Sequence, residues 1–445
     1  MTTAMGAALR RIQLGNALSA FGNGFTVPFL FVYVAQVRNL GASTAGVVLA
    51  AFAVAALVVL PFTGRVIDRR GPLPVAIAGS VAAAVGSLAL GLAEREPLVI
   101  GAAGLLGAGI AVIQPALATM IVWCSTPVTR SRAFAGQFFL SNLGLGVGGL
   151  LGGLIVDTSR PSSFVTLFSI EAVMFLVLAV TAATVRLPQV PRVDDAVPTD
   201  DRANGGWRAL LGDRAMVQLC VLGFVMFFAC YGQFESGLAA FAVEAARISP
   251  STLGIALAAN TAVIVLAQFG VLKLVERHRR SRVVALVGLI WTLAWVAAGV
   301  SGLVHGSQAI ATGALISTYA LFGLGESMLS PTVAPLVADL APSSLVGQYN
   351  SAFALVKQLA LAVGPAAGGL IAGAGMYTEY IVLLLGCSLG ITVLALRLGR
   401  RLTPAQDRPH RTAAPAEAAG PVVIPAQRAE SVPAEPVAAQ VTAGV

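Results

Sequence analysis

The sequence predicts an all-α integral membrane protein whose twelve transmembrane helices form two six-helix pseudo-repeats. The first observation is composition: the 445 residues are 57% hydrophobic and 11% charged, whereas soluble domains carry roughly 25% charged residues. The second is a series of apolar runs of about 20 residues, the length a helix needs to cross a bilayer. Backbone groups in hydrocarbon need internal partners, and the runs lack the alternation of barrel strands, so they are predicted to be helices. The third is an internal repeat, in which motifs of the first half of the chain recur in the second half.

Twelve apolar runs can be placed along the chain. The first follows Arg10 and Arg11 and is too long for the apolar core of a secretory signal, so it is interpreted as a transmembrane helix. The predicted spans are 12–36, 44–63, 73–93, 97–123, 133–156, 163–185, 215–243, 251–274, 283–304, 308–338, 347–374 and 377–399.

These spans divide the chain into four segments. Residues 1–186 are predicted as an N-terminal six-helix bundle, 187–213 as a cytoplasmic linker, 214–401 as a C-terminal six-helix bundle, and 402–445 as a disordered Pro/Ala-rich tail. The tail has too little aromatic or branched apolar content to pack. The acidic stretch "DDAVPTDD" (194–201) is interpreted as a solvated loop, because a diphosphate site needs carboxylates fixed on helices for Mg²⁺ to bridge.

The distribution of basic residues predicts the orientation. Loops on the N-terminal side hold Arg10, Arg11, Arg65, Arg69, Arg70, Arg130, Arg132, the linker arginines and "KLVERHRRSR", whereas the opposite side has Arg38, Arg95, Arg160 and Arg247. This imbalance predicts a multi-pass protein of the plasma membrane whose two termini and linker lie in the cytoplasm. The net charge of +8 is thereby a topology signal. Nucleic-acid binding is disfavoured because the arginines are spread over short loops.

The two halves repeat one another at a constant offset of 216 residues. "GAGIAVIQPALATMIV" in the fourth span resembles "GLGESMLSPTVAPLVA" in the tenth, and "GGLLGG" (148–153) resembles "GPAAGG" (364–369). A third, slightly displaced pair matches "IDRRG" with "VERHRR". Two related six-helix halves are typical of transporters that rock around a central site near the membrane midplane.

The sequence offers no constellation typical of an enzyme. Cys124, Cys220, Cys230 and Cys387 form no CxxC pair and the three histidines are scattered, so neither a disulfide framework nor a metal site is predicted. There is no nucleophile–base arrangement and no P-loop motif. We therefore predict a non-enzyme without cofactor that does not use ATP as its energy source. Its predicted partners are a small-molecule substrate and the lipid bilayer, and we expect a monomer.

The loop between the second and third spans, "GRVIDRRG" (64–71), resembles the signature loop of the major facilitator superfamily, and the resemblance extends over the whole chain apart from the tail. It implies that the Asp68 carboxylate faces the N-terminus of the eleventh span, where a helix carries unpaired N–H groups and partial positive charge. Pro72 and Leu73 stand where the family usually has basic residues, leaving Arg69 and Arg70 to hold the loop against neighbouring cytoplasmic ends. The conformational latch implied in this way comprises Gly64, Asp68, Arg69, Arg70 and Gly71, with Glu276 and Arg277 from the second half.

Two glycine-rich segments resemble the signature of drug:proton antiporters, the efflux branch of this family. "LGLGVGGLLGG" (143–153) has Gly149 where proline is usual, while "VGPAAGG" (363–369) retains Pro365. Glycines three or four residues apart clear a helix face for close packing, so simple helix packing and an antiport-specific role both remain open. The residues concerned are Gly144, Gly148, Gly149, Gly152, Gly153, Gly364, Pro365, Gly368 and Gly369.

Four ionisable residues fall inside predicted spans, where a charge is costly and usually faces a cavity or a partner. Glu326 and Lys357 each lie roughly 4 Å to the cytoplasmic side of their span centres at 1.5 Å rise per residue, which predicts an ion pair. We interpret Glu326 as an acid that couples protons or substrate and Lys357 as its counter-charge, with a purely structural pair as the alternative. Glu235 is a second candidate for coupling, and Glu171 is interpreted as a structural acid. The remaining polar cavity candidates are Tyr231, Gln233, Asn23, Gln114, Asn260 and Gln358.

These observations predict a secondary active transporter that exports a small, partly lipophilic compound by alternating access and proton antiport. Two alternatives remain at this point. One is a proton-coupled uptake permease of the same fold, and the other is a membrane sensor or scaffold that transports nothing.

Overall fold

The computed structural model of the protein describes residues 3–187, 205–234, 236–304 and 307–409, and these residues form helices joined by short turns. In the first half the helices are α1 (Thr3–Thr26), α2 (Gly41–Arg70), α3 (Pro72–Leu92), α4 (Glu96–Trp123), α5 (Arg130–Ile155) and α6 (Pro161–Thr184). In the second half they are α7 (Gly205–Gly212), α8 (Arg214–Ala229), α9 (Pro250–Arg277), α10 (Arg280–Leu303), α11 (Gln308–Leu329), α12 (Val333–Leu340), α13 (Val346–Gly373), α14 (Tyr377–Gly399) and α15 (Pro404–Asp407).

Helix starts follow from local sequence. The Asp213 carboxylate caps α8 by accepting hydrogen bonds from the backbone N–H groups of Ala215 and Met216 at 2.9 and 3.1 Å. Between α2 and α3 the chain turns at Gly71, whose φ of +86° is in the region that favours glycine. Pro72 then opens α3, where its missing N–H costs nothing.

Three spans that were predicted to be continuous are interrupted. After α1 the chain passes through a 3₁₀ turn, Val27–Phe29, and a π-helical turn, Tyr33–Val37, because Pro28 removes an N–H from the helix. After α8 it continues through Tyr231–Gln233, Gly237–Ala240 and the π-helical turn Phe241–Ala245. The span predicted as 308–338 divides into α11 and α12 at Pro331.

The helices are long and apolar enough to cross a membrane. Eleven described helical segments meet this criterion, and a twelfth does so if the two parts of α9, Thr252–Gln268 and Gly270–Arg277, which are bent by 58°, count as one span. Large apolar side chains cover the outside of the protein, including Leu154, Leu266 and Leu303 at 83%, 81% and 78% exposure. Exposed apolar surface on this scale requires lipid as its solvent. The predicted fold class is thereby confirmed.

Each half has its own hydrophobic core. One cluster of buried side chains is drawn from the first half and gains only Ala338 and Val346 from the second. The other is built entirely from residues between Leu210 and Leu402, around Trp291 and Trp295. Two cores in one chain indicate two helical bundles that can move relative to each other.

The repeat is visible in the backbone as well as in the sequence. The π-helical turns Tyr33–Val37 and Phe241–Ala245 begin 208 residues apart. The same separation relates Asn39 and Arg247, the two non-glycine residues of the described chain with positive φ, at 55° and 53°. Because such conformations are uncommon outside glycine, their recurrence identifies equivalent positions in the two halves.

The predicted linker and the start of the predicted tail both contain helical residues. Within the predicted linker, α7 packs against the membrane domain, and Trp207 donates a hydrogen bond to the Pro61 carbonyl at 3.2 Å. The predicted tail begins with α15, which a Thr403–Gln406 capping box stabilises. The prediction of disorder is therefore wrong for residues 402–409, which are held by polar contacts and by burial of the Leu402 side chain in the second hydrophobic core. Residues 188–204, which include the whole of "DDAVPTDD", and residues 410–445 lie outside the described chain.

Glycines allow the helices of each half to touch through their backbones. A Cβ at Gly144 or Gly148 of α5 would overlap a carbonyl oxygen of α1, and Gly152 packs against Phe25 and Phe29. In the second half Gly364 lies against Gly232, and Gly368 lies against Gln233 and Gly237. The other predicted packing glycines are looser: Gly149 and Gly153 have neighbours at 3.6 and 3.9 Å, and Gly369 has none within 4 Å.

We expect Gly148→Ala to destabilise the first half. The new methyl group meets the Phe21 carbonyl oxygen, which belongs to the backbone and cannot rotate away. Overpacking of this kind costs about 1–3 kcal/mol, which lowers the Tm by about 2–10 °C. Thermal unfolding of the detergent-purified protein measures the effect. Gly153→Ala on the same helix is the control, since its Cβ would lie 3.9 Å from Phe29 Cζ. Equal Tm values for the two variants would contradict this account of the α1–α5 contact.

Candidate functional site

A cavity of about 470 Å³ lies between the two halves. Its walls come from α1, α2, α4, α5 and α6 of the first half and from α8, α12 and α13 of the second, with Leu329 at the end of α11. Most of the wall is apolar, and five phenylalanines contribute to it. The polar side chains of the wall are Asn16, Ser19, Asn23, Gln114, Gln137, Ser141, Asn142, Ser330, Asn350, Lys357 and Gln358.

Four of the residues predicted for the cavity line it: Asn23, Gln114, Lys357 and Gln358. Two others lie elsewhere in the second half and link helices. Gln233 is buried, donates to the Gly364 carbonyl at 3.2 Å and accepts from the Tyr380 hydroxyl at 3.1 Å. Asn260 is also buried, and donates to the carbonyl of Tyr319 at 3.2 Å. Glu235 lies outside the described residues.

Glu326 is buried behind the cavity wall, with 4% of its surface exposed. The Asn260 amide of α9 donates to its Oε1 at 2.9 Å, and the Tyr231 hydroxyl also hydrogen-bonds to the carboxyl group. Lys357 interacts with it electrostatically. The two groups do not form a direct ion pair within 4 Å in the described part of the chain. The predicted ion pair is therefore wrong as a contact, although the two charges are close enough to interact electrostatically.

The other buried acid, Glu171 of α6, has a local partner. The hydroxyl of Ser87 on α3 donates to the Glu171 carboxylate at 2.6 Å and also to the Phe168 carbonyl at 2.9 Å. Glu171 does not belong to the cavity wall, and 1% of its surface is exposed. This geometry cross-links α3 and α6.

Asp68, at the last turn of α2, lies against the first turn of α13. Its two carboxylate oxygens accept hydrogen bonds from the backbone N–H groups of Gly347 and Gln348 at 2.7 and 3.0 Å. These N–H groups have no partner within their own helix, and the helix dipole favours a negative charge beside them. The contact joins the first half of the protein to the second.

Glycine makes the Asp68 contact possible. A Cβ at Gly64 would lie 2.5 Å from the Gln348 Cα, and one at Gly347 would lie 2.6 Å from Ile67 Cγ2. Any side chain at either position would push α2 and α13 apart. The signature glycine of the loop is therefore explained by a backbone-to-backbone approach between the halves.

Ion pairs also join the halves on this face of the protein, called the basic face below because it carries residues 64–71, 124–132 and 276–282. Asp339 of α12 pairs with Arg130 of α5 and with Arg280 of α10, and all three side chains are buried. Arg132 pairs with Glu276 of α9, its Nη2 lying 3.0 Å from Oε2. Arg132 is 66% exposed, so this pair contributes about 0–1 kcal/mol, whereas removing one partner of the buried trio costs about 3–5 kcal/mol.

The arginines that were expected to hold the loop do not do so in this structure. Arg69 and Arg70 have exposed side chains, as does Arg277 of the predicted latch, and the described chain offers none of them a hydrogen-bond or ion-pair partner. Arg130, Arg132 and Arg280 make the contacts instead. Sequence reasoning counted them only as topology signals, because it could not show that Asp339 at the end of the tenth span faces both halves.

The segment after α14 is tied to the same cluster. Asp407 accepts hydrogen bonds from the backbone N–H and the hydroxyl of Ser281 at 2.9 and 3.0 Å. Arg280 donates to the Gln406 carbonyl at 3.1 Å. The short helix α15 therefore braces the arginine that pairs with Asp339.

Comparisons with known proteins agree with this architecture. The sequence matches the profile of the Major Facilitator Superfamily over residues 12–249 and 236–439. It is 23% identical over 374 residues to the Escherichia coli protein YdeE, an uncharacterised MFS-type transporter, covering 82% of this chain and 90% of that one. It is 30% identical over 145 residues to Bacillus subtilis multidrug resistance protein 2, a match that covers 32% of this chain and 36% of the relative.

A solved structure shows the same fold. The crystal structure of the E. coli fucose:proton symporter FucP has a TM-score of 0.71 with 14% sequence identity, covering 89% of this chain and 99% of FucP. The family matches span both halves, and the fold consists of two helical bundles around a cavity. The chain belongs to the major facilitator superfamily and is a multi-pass membrane transporter of that family.

Proposed function

We propose that the protein exports a small, partly lipophilic compound by alternating access, in exchange for protons. The observation that carries the proposal is the cavity between two bundles that meet at the basic face. The volume of about 470 Å³ suits one small molecule. The mostly apolar wall with scattered amides and hydroxyls suits a compound that is lipophilic over most of its surface.

The contacts between the halves support a closed basic face. Hydrogen bonds and ion pairs link Asp68 to α13, Arg130 to Asp339, Arg132 to Glu276, Ser330 to the Phe134 carbonyl, and Asn350 to Thr119. All of them lie between the cavity and the basic face or at that face itself. We propose that they form a latch, and that its release opens the cavity on the basic side.

The excess of arginine on the basic face supports the proposal that this face lies on the cytoplasmic side of the plasma membrane. Both termini then lie in the cytoplasm. A latch on this side then controls access from the cytoplasm. Export is supported further by the similarity to multidrug resistance protein 2. We further propose that the protein works as a monomer, without a cofactor, and that the proton gradient supplies the energy.

Glu326 is the residue that we propose for proton coupling. A charged carboxylate is costly inside the membrane, and this one has an amide donor, a hydroxyl donor and a nearby ammonium group. These groups offset part of the cost of burying the charge, and in the described part of the chain there is no direct counter-ion. Lys357 connects it to the cavity, because the ammonium group is both in the wall and within electrostatic reach of Glu326.

A second candidate, proton-coupled uptake, is favoured by the same pair of residues. Protonation of Glu326 leaves the positive charge of Lys357 without compensation, and this would strengthen the binding of a negatively charged substrate. A proton and an anion that bind together can also cross together. The sign of the gradient that drives accumulation separates the two candidates.

The direct test uses purified protein in liposomes and compounds selected by resistance in an efflux-deficient host. With the lumen acidic, we expect the compound to accumulate inside, because protons leave as the compound enters. With the lumen alkaline, we expect no accumulation. The result does not depend on how the protein is oriented in the liposome, since only the gradient supplies free energy. Accumulation under the alkaline lumen alone would establish uptake by symport instead.

We expect Glu326→Gln to uncouple transport. The amide keeps the shape of the side chain and one acceptor oxygen for the Asn260 amide, but it cannot carry the proton. Gradient-driven accumulation should fall to the level of empty liposomes, while exchange of labelled for unlabelled compound without a gradient should persist. Glu171→Gln is the matched control, a second buried acid whose partner is Ser87. Undiminished accumulation by Glu326→Gln would overturn its role in coupling.

We expect Asp68→Asn to shift the protein towards a form that is open at the basic face. The neutral amide retains one acceptor, so the loss is about 1.5–3 kcal/mol, or a tenfold to hundredfold change in the equilibrium at about 1.4 kcal/mol per decade. Spin labels at Thr126 and His278, on opposite sides of the latch, measure the change as a longer distance by double electron–electron resonance. Asp157→Asn, on the other face of the membrane, is the control. Identical distance distributions for Asp68→Asn and wild type would refute the latch.

A further inference from the structure

Lys357 has an unusual position in this chain. The protein has only two lysines, Lys273 and Lys357, beside 26 arginines. Lys273 is exposed near the end of α9, whereas Lys357 lies in the middle of α13 and forms part of the cavity wall. Within the described residues it is the one charged side chain in that wall, and all the other polar groups there are amides or hydroxyls.

The ammonium group of Lys357 has no hydrogen-bond or ion-pair partner in the part of the chain that the structure describes. It lies over the ring of Phe227, with Nζ 5.2 Å from the ring centroid. Such a cation–π contact contributes about 0.5–2 kcal/mol, much less than the cost of taking an ammonium ion out of water. Among the described residues the charge therefore has no partner in direct contact.

Glu326 lies within electrostatic reach of the ammonium group but does not contact it directly. Its carboxyl group is occupied by the Asn260 amide and the Tyr231 hydroxyl, and Glu326 is not part of the cavity wall. The donors of Lys357 thus face a space that is open to a ligand. A compact ammonium group with free donors is a strong partner for an oxyanion.

The rest of the wall determines what such an oxyanion would be attached to. Five phenylalanines surround the cavity, namely Phe134, Phe138, Phe175, Phe227 and Phe353, together with leucine, isoleucine and valine side chains. A small inorganic anion would leave this apolar surface uncovered. A ligand with one acidic group and an apolar or aromatic body would satisfy both parts of the wall.

We propose that the substrate is an organic monoanion, an amphiphilic acid whose carboxylate or equivalent oxyanion pairs with Lys357 and whose apolar body packs on the phenylalanines. This rests on the proposed transport function for its biological meaning, but it does not depend on the direction of transport. It assigns Lys357 as the residue that determines specificity for charge. The neighbouring amides of Asn23 and Gln358 are placed to hydrogen-bond to the remaining polar groups of the substrate.

The test is equilibrium binding to the purified full-length protein, with three probes that share one apolar body: 4-phenylbutyrate, 4-phenylbutyramide and 4-phenylbutylamine. We expect the carboxylate to bind at least about tenfold more tightly than the amide or the amine, as one charge-assisted hydrogen bond allows. In Lys357→Gln the carboxylate should lose roughly tenfold to a hundredfold in affinity, while the affinity for the amide should stay the same. The unchanged amide affinity shows that the variant is folded.

Two further variants make the result specific to the charge in the cavity. Lys357→Arg keeps the charge and should retain the preference for the carboxylate, and Lys273→Gln removes the other lysine and should bind all three probes as wild type does. Tightest binding of the amine, equal binding of carboxylate and amide, or an unaltered preference in Lys357→Gln would each overturn the proposal. Binding of the carboxylate through Lys357 without accumulation under either proton gradient would uphold it and overturn the proposed transport mechanism.

Discussion

The proposed latch between the two bundles depends first on the contact between Asp68 and the first turn of α13. It joins a carboxylate of one bundle to two otherwise unpaired backbone N–H groups of the other. Gly64 and Gly347 bring the backbones close enough for these bonds to form. The buried Arg130–Asp339–Arg280 cluster adds to the same closure, and α15 braces it through Arg280. Because the contacts are polar and lie on one face, they can break without disturbing either hydrophobic core.

Much of this architecture could be predicted from the sequence, because the constraints that generate it are local or periodic. Apolar runs long enough to span a bilayer determine the helices, and a constant offset between motifs reveals the repeat. The role of Gly148 follows from its spacing with Gly144 and Gly152, since glycines four residues apart share a helix face. The position of Asp68 came from resemblance to a family rather than from pattern alone. The structure identifies the two backbone N–H groups that Asp68 contacts.

The features that sequence could not supply depend on which way side chains face and on where helices break. Depth along a helix placed Glu326 and Lys357 at the same level, but depth does not show that Glu326 turns towards Asn260 while Lys357 turns towards the cavity. The same limit applies to Gln233, which lies in a predicted cavity helix and links Gly364 to Tyr380 instead. The pairing of Arg130 with Asp339 joins residues 209 positions apart. No local pattern records such a pairing.

The charges around the cavity connect the identity of the substrate with the energetics of the cycle. Export of a monoanion in exchange for one proton moves two charges in the same electrical sense, and a membrane potential contributes about 2.3 kcal/mol per charge per 100 mV. A cell interior that is negative therefore favours both half-reactions of such an exporter. Uptake of the same anion together with one proton moves no net charge and gains nothing from the potential. Such an exporter has to bind the anion in the cavity while Glu326 is still charged, and this costs free energy because the two negative charges repel each other. Its wall of amides and hydroxyls around Lys357 is the part of the protein that can solvate that excess charge.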